Sequence, residues 1–441
     1  MRLNRIVLVS VVLGAAISAA RVESASSPLG ALPEAPLSLE QCVALALENH
    51  PTLRGARDDL EAARAGVKVS KAAALPQLGV SSGYTQSGGA LSTGGRSLSQ
   101  DGFAAGLDLK QLLFDSGRTP ALIQEAESTL YATAATYAQT EQAVVFGARQ
   151  SYFRVLAAEQ LAAARTQARD LAELHLKAAR ARHDQGIAPK ADMTKADVEV
   201  ANAELDLIRA HNEVRLAYAA LNNALGLPPT ASLSLAGDLQ TSPEPPSLEA
   251  CLEAAYRYRP ELQRAEAQIE SARARVTVAG SATRPALFLT ASNDWLDTSS
   301  ASSSTWTVGL TVGFSLWDGG ATHARIAQAR AAMGSAQASF DTAKQQVGLE
   351  VQQAYLSLVE ADQRVLTAAR LVEQAEENHR IAQGRYESGV GPMIDVVDAE
   401  TALTAARTSR VQALYDSQVA RARLDLALGR AFRPGGAGDE K

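Results

Sequence analysis

The chain has 441 residues, a net charge of −6 and only 5% aromatic residues. The mild negative charge argues against a nucleic-acid binder, which needs a basic stripe. Few aromatics and abundant alanine exclude large globular cores and suit long helices packed closely along their length.

In chain order, the first feature is a targeting segment. Arg2 and Arg5 precede an apolar run from Ile6 to Ala20, and Ser18-Ala19-Ala20 offers small residues for cleavage. This pattern predicts a secretory signal peptide at about 1–20. The run is shorter than the roughly 20 residues a spanning helix needs. No cysteine follows it closely, so nothing suggests a lipid-anchored N-terminus. Nowhere else is an apolar stretch long enough to cross a bilayer as a helix.

An internal duplication follows. SLEQCVALALENHPTL from Ser38 matches SLEACLEAAYRYRPEL from Ser247, so that Cys42 pairs with Cys251 and Pro51 with Pro260. Phe114-Asp115-Ser116-Gly117 matches Trp317-Asp318-Gly319-Gly320, Gly186 matches Gly389, and Leu225-Gly226 matches Leu428-Gly429. A period of about 200 residues is far longer than a solenoid repeat, so this is a duplicated half-molecule. The copies span 37–226 and 247–430. A Pro/Ser-rich linker at 227–246 joins them, and a flexible tail follows at 431–441. Cys42 and Cys251 sit at equivalent places, which disfavours a disulfide and marks both as small buried hydrophobes.

Each half predicts the same elements. A helix at 38–75 (247–284 in the second copy) starts at a serine N-cap and ends before Pro76 or Pro285. Two strands come next, at 77–86 and 102–114, then at 286–294 and 305–317, joined by Gly/Ser/Thr-rich loops. Very long helices follow at 118–185 and 320–388, each about 67 residues or roughly 100 Å. After a Gly/Pro turn, return helices run at 191–226 and 394–429. The short and return helices, stacked end to end, match the height of one long helix, so each half is two helical columns.

The strands carry an apolar face with no core to receive it. Trp306, Val308, Leu310, Val312 and Phe314 alternate with small or polar residues, as do Phe103, Leu107 and Leu109. This pattern predicts a transmembrane β-barrel with those eight side chains toward lipid and aromatics such as Tyr84, Trp295 and Trp317 near its rims. Four strands cannot close alone, and an open edge is forbidden in lipid, so the chain must oligomerise. The count alone does not choose between two copies and three. An exported coiled-coil scaffold with decorative hairpins is the competing reading. No catalytic constellation is present: the six histidines show no paired metal spacing, and there is no Walker loop or GxSxG element. Neither a metal nor a cofactor is expected.

Together, SLEQCVALALENHP, the FDSGR and WDGG strand exits, and RYESGVGPMIDVVDAETAL from Arg385 resemble the TolC-like outer membrane efflux proteins. The resemblance covers residues 37–430. It implies a mainly α fold with a membrane β-barrel: a homotrimer with a 12-stranded outer-membrane barrel continued by a 12-helix periplasmic tunnel. It implies passive conduction of substrates in a tripartite efflux pump or type I secretion system. The partners would be outer-membrane lipid, a periplasmic membrane-fusion adaptor and an inner-membrane pump of RND, ABC or MFS type. By resemblance the adaptor contacts the tips at Arg182, Gly186, Ile187, Ala188 and Pro189, and at Arg385, Gly389, Val390, Gly391 and Pro392. Asp395 and Asp398 match aspartates that ring the closed entrance, with Tyr386 and Asp192, the first-copy equivalent of Asp395, beside them. The same aspartate spacing also suits the dipole at a helix start. One departure stands out: Gly391 replaces an arginine that, in a family member, ties the closed state to a neighbour.

Overall fold

The computed structural model describes residues 35–90, 97–186, 189–240, 246–298 and 302–430. The expected signal peptide, Ile187, Ala188, the linker segment 241–245 and the tail at 431–441 lie outside them. The fold is mostly helical, with one small antiparallel sheet.

The first half runs α1 (Leu39–Asn49), α2 (Pro51–Ala72), β1 (Gln77–Ala90), β2 (Ser97–Phe114), α3 (Arg118–Asp184) and α4 (Lys190–Ala224). In the second half the order repeats as α5 (Leu248–Tyr258), α6 (Pro260–Ser281), β3 (Ala286–Thr298), β4 (Ser302–Gly313), α7 (Ala321–Glu387) and α8 (Met393–Ala427). The helices expected at 38–75 and 247–284 are each two helices. Pro51 and Pro260 hold their preceding residues extended, with ψ of 122° at both His50 and Arg259, and each proline then starts a new helix. Ser38 caps α1 with a reciprocal capping box: its hydroxyl accepts from the Gln41 N–H, and the Gln41 side chain accepts from the Ser38 N–H.

The helices form a row of columns. Both α2 and α4 pack on α3, α3 packs on α6 and α8, and those two pack on α7. Columns made of two helices are closed by glycine. Gly226 has φ +71°, and a Cβ there would lie 2.7 Å from the Asn49 carbonyl oxygen, so the end of α4 sits directly on the α1/α2 break. Gly429 has φ +70° and makes the same approach to Tyr258 and Arg259. Around this level lies the main apolar core, with Leu37, Val43, Val155, Leu221 and Leu225 almost fully buried. The first part of the linker is stitched on there: the Leu37 N–H donates to Ser234 O at 2.8 Å, the Ala236 N–H donates to Leu37 O at 2.9 Å, and the Tyr152 hydroxyl donates to Ala236 O. Both cysteines are buried free thiols, and burial pushes Cys42 up to about 12.

The sheet order is β1-β2-β3-β4, so β2 and β3 join the halves and β1 and β4 are open edges. Register sets which side chains share a face. Leu78, Leu109, Ala291 and Val308 stand in one row, and Val80, Leu107, Asn293 and Trp306 in the next. The opposite face carries Ser81, Gly106, Asp294 and Thr305 in a matching row. Trp306, Val308, Leu310 and Val312 remain 61–75% exposed, because no described helix covers them. Phe103 and Leu107 are exposed on the same face, and Leu109 is half-buried. The expected strand at 305–317 ends at Gly313 instead. Gly313 pairs with Ala286, the first residue after Pro285, and no strand lies beyond to pair with Phe314 or Trp317. Phe314 therefore lies just outside the sheet, exposed.

Replacing Gly226 with alanine should destabilise the fold by about 2 kcal/mol or more, since it forces a side chain into both a left-handed backbone and a carbonyl. Gly55→Ala, on the open face of α2 with no atom within 4 Å, should be neutral or stabilising. Thermal unfolding followed by circular dichroism separates the two.

Candidate functional site at the helical tips and strand exits

The two tips have the same construction. Gly186, with φ +74°, follows the end of α3, and Pro189 is the N-cap residue of α4; Gly389, also φ +74°, follows the end of α7, and Pro392 is the N-cap residue of α8. In the second tip the Gly389 N–H donates to Tyr386 O at 3.1 Å and the Val390 N–H donates to Arg385 O at 2.9 Å, a glycine-closed helix end. Val390 is 74% exposed at the apex. Gly391 is tucked against Arg385, where a Cβ would meet the Arg385 Cβ at 3.2 Å.

The tips of the two halves touch. The Arg182 guanidinium lies 4.1 Å over the Tyr386 ring, which joins the last turn of α3 to the last turn of α7. A cation on an aromatic face contributes about 0.5–1 kcal/mol at an exposed site. This contact gives Tyr386 a basic partner within its own chain, although Gly391 offers none. Beside it is a groove of about 770 Å³ lined by Arg182, Asp192, Lys195, Tyr386, Pro392 and Val397. Asp192 lines this groove; Asp395 and Asp398 do not. Those two lie off the buried row of Val396, Ala399 and Leu403, with Asp395 in the first turn of α8 and Asp398 exposed.

Above the tips, the structure brings together three residues that sequence spacing did not connect. His175 of α3, His379 of α7 and Glu400 of α8 place their ligand atoms within 4.8 Å of one another. Local spacing could not show this, because the histidines come from different halves. The faint available signal was that His175 and His379 fall one residue apart when the copies are overlaid.

At the other end of the long helices, an aspartate holds each strand exit. Gly117 and Gly320, at φ +88° and +85°, are the N-cap residues of α3 and α7 and offer no side chain. Asp115 accepts instead from the Thr119 N–H at 2.6 Å. Asp318 accepts from the Gly320 N–H at 3.1 Å, the Thr322 N–H at 2.7 Å and the Thr322 hydroxyl at 2.6 Å. These bonds, the Thr322 hydroxyl first, hold the Asp318 carboxyl below its ordinary 3.8.

This geometry defines a class: a duplicated subunit in which an uncovered sheet passes through tight Asp/Gly joints into long helical walls. No described helix is long and apolar enough to cross a membrane. The chain belongs to the outer membrane efflux protein family, whose model matches residues 42–227 and 252–430. It is 26% identical over 400 residues to the outer membrane efflux protein BepC of Brucella suis, covering 87% of this chain and 84% of that one. To the outer membrane protein TolC of Escherichia coli it is 24% identical over 399 residues, covering 86% and 80%. Its fold matches that of the outer membrane protein VceC of Vibrio cholerae with a TM-score of 0.77 at 19% identity, over 89% of this chain and 96% of that one. The protein is accordingly placed in the outer membrane with a periplasmic extension.

Asp318→Ala should loosen the first turn of α7. Its carboxyl is depressed in the folded state, so its contribution is full above the ordinary 3.8 and is lost as pH falls through the lower folded value. Hydrogen exchange at the Gly320 and Thr322 amides should therefore accelerate in the variant at neutral pH, with no difference left in strong acid.

Proposed function

We propose that the protein is the passive outer-membrane exit channel of a tripartite efflux pump or type I secretion system, working as a homotrimer. The observation that carries this is the uncovered apolar face running across all four strands, with an unpaired strand at each end. An unpaired edge in hydrocarbon costs several kcal/mol for each unsatisfied group, so β1 of one copy must pair with β4 of the next. Three copies give twelve strands and a closed ring of helical columns beneath it. Lipid then meets Phe103, Leu107, Leu109, Trp306, Val308, Leu310 and Val312, while the Thr and Gly face lines water.

The tips are the docking edge for a periplasmic membrane-fusion adaptor, through the exposed Gly186 and Pro189 of the first tip and the exposed Gly389, Val390 and Pro392 of the second. An inner-membrane pump behind the adaptor supplies energy and selects the cargo. Asp395 and Asp398, repeated around a three-fold axis, ring the entrance and favour cations. Arg182 on Tyr386 helps to hold that entrance narrow, in place of the contact that Gly391 cannot make.

Purified protein in planar bilayers should form discrete channels. Asp395→Ala with Asp398→Ala should weaken block by multivalent cations, and unchanged block removes the two aspartates from the entrance. Arg182→Ala should raise conductance, whereas Tyr386→Phe, which keeps the ring, should behave as wild type. Absence of any channel activity from a stable oligomer overturns the reading.

A further inference from the structure

We propose that His175, His379 and Glu400 form a binding site for a divalent first-row transition-metal ion, zinc being the simplest probe. His175 comes from the first half of the chain, His379 and Glu400 from the second, so the bound ion would cross-link three helices about 15 Å from the tip turns at 1.5 Å per residue. The site does not depend on how many copies close the channel.

Several observations point to a cation. The ligand atoms of the three side chains lie within 4.8 Å of one another, and all three residues are half-buried between packed helices. The Nε2 atoms of His175 and His379 are both buried with no hydrogen-bond partner. Such an orphaned nitrogen is costly unless something occupies its lone pair. His175 Nε2 lies 3.3 Å from Glu400 Oε2, and their side chains are only 12% and 15% exposed. The pair is within ion-pair distance, yet its geometry makes no hydrogen bond. Two imidazole nitrogens and a carboxylate oxygen gathered without bonding one another are arranged as ligands around a common point.

The chemistry selects the ion class. Two imidazoles and one carboxylate suit zinc and its neighbours rather than calcium or magnesium, which prefer all-oxygen sets. Three protein ligands leave a fourth position for water in a tetrahedral site. Zn–N and Zn–O bonds of about 2.0–2.2 Å put tetrahedral ligand atoms roughly 3.3–3.6 Å apart, so any pair near the 4.8 Å limit must rotate inward by about 1 Å on binding. A route in exists, since His175 and Glu400 both line a groove of about 630 Å³ between α4 and α8.

The test is calorimetric titration of zinc into the full-length protein in detergent, after stripping with a chelator. One zinc per protomer is expected. His175→Asn and His379→Asn should each weaken binding about 100-fold or more, because losing a ligand costs at least what losing its supporting partner does. Glu400→Gln should weaken it at least about tenfold. His211→Ala, an exposed site on α4, should bind as wild type. Cobalt loading of the unmodified protein needs no variant: it should give the intense visible bands of four-coordinate Co²⁺. Absence of saturable zinc binding overturns the proposal. So does wild-type affinity in the His175→Asn/His379→Asn double variant, or a cobalt spectrum identical to that of cobalt in buffer.

Discussion

The structure depends on a sheet that cannot satisfy itself. Four strands leave a row of unpaired N–H and C=O groups along β1 and another along β4. One face of that sheet is mostly apolar on all four strands, and no described helix covers it. In water such a face would aggregate, and in lipid such edges are prohibitive. The oligomer proposed above answers both problems at once, by edge-to-edge pairing with further copies in a membrane. The rest of the molecule extends that requirement: the helical columns continue the row begun by the strands, and the outer columns, α2 with α4 on one side and α7 on the other, pack against a neighbouring column on one side only in the single chain.

Duplication makes this economical. Each half supplies two strands and two columns, and the halves are held together at both ends and in the middle. In the sheet, β2 pairs with β3 over much of its length. Midway, Arg149 of α3 bridges to Asp425 of α8 at 2.8 Å, with the Arg149 side chain only 9% exposed. An arginine buried this deeply needs its partner, because removing the carboxylate would leave an uncompensated charge. Near the tips, the Arg182–Tyr386 contact and the His175–His379–Glu400 cluster again pair groups from opposite halves. The passage from sheet to long helix falls to Asp115 and Asp318, which accept from the amides at the helix starts that Gly117 and Gly320 leave uncapped.

Much of the fold was legible because its signals are periodic or local. The long helices show as uninterrupted runs with no proline beyond Pro120 in the first turn of α3, the strands as alternation, and the tips as Gly/Pro turns. Boundaries failed where a local rule gave way to pairing. Trp306 to Leu316 alternates through to its end, yet the strand stops at Gly313 because Pro285 ends the partner. The breaks at His50 and Arg259 were also written in the sequence, as residues preceding proline, but helical periodicity on both sides masked them. Of the candidate site, the tip turns could be read from composition. The contact of Arg182 with Tyr386 and the meeting of His175 with His379 could not, since only the fold brings residues about 200 positions apart together.

The central claim is that the chain closes its sheet by pairing with identical copies. Native mass spectrometry of the detergent-extracted protein tests it most directly. The account predicts a complex of three chains that survives release from the micelle; a stable, folded single chain would contradict it.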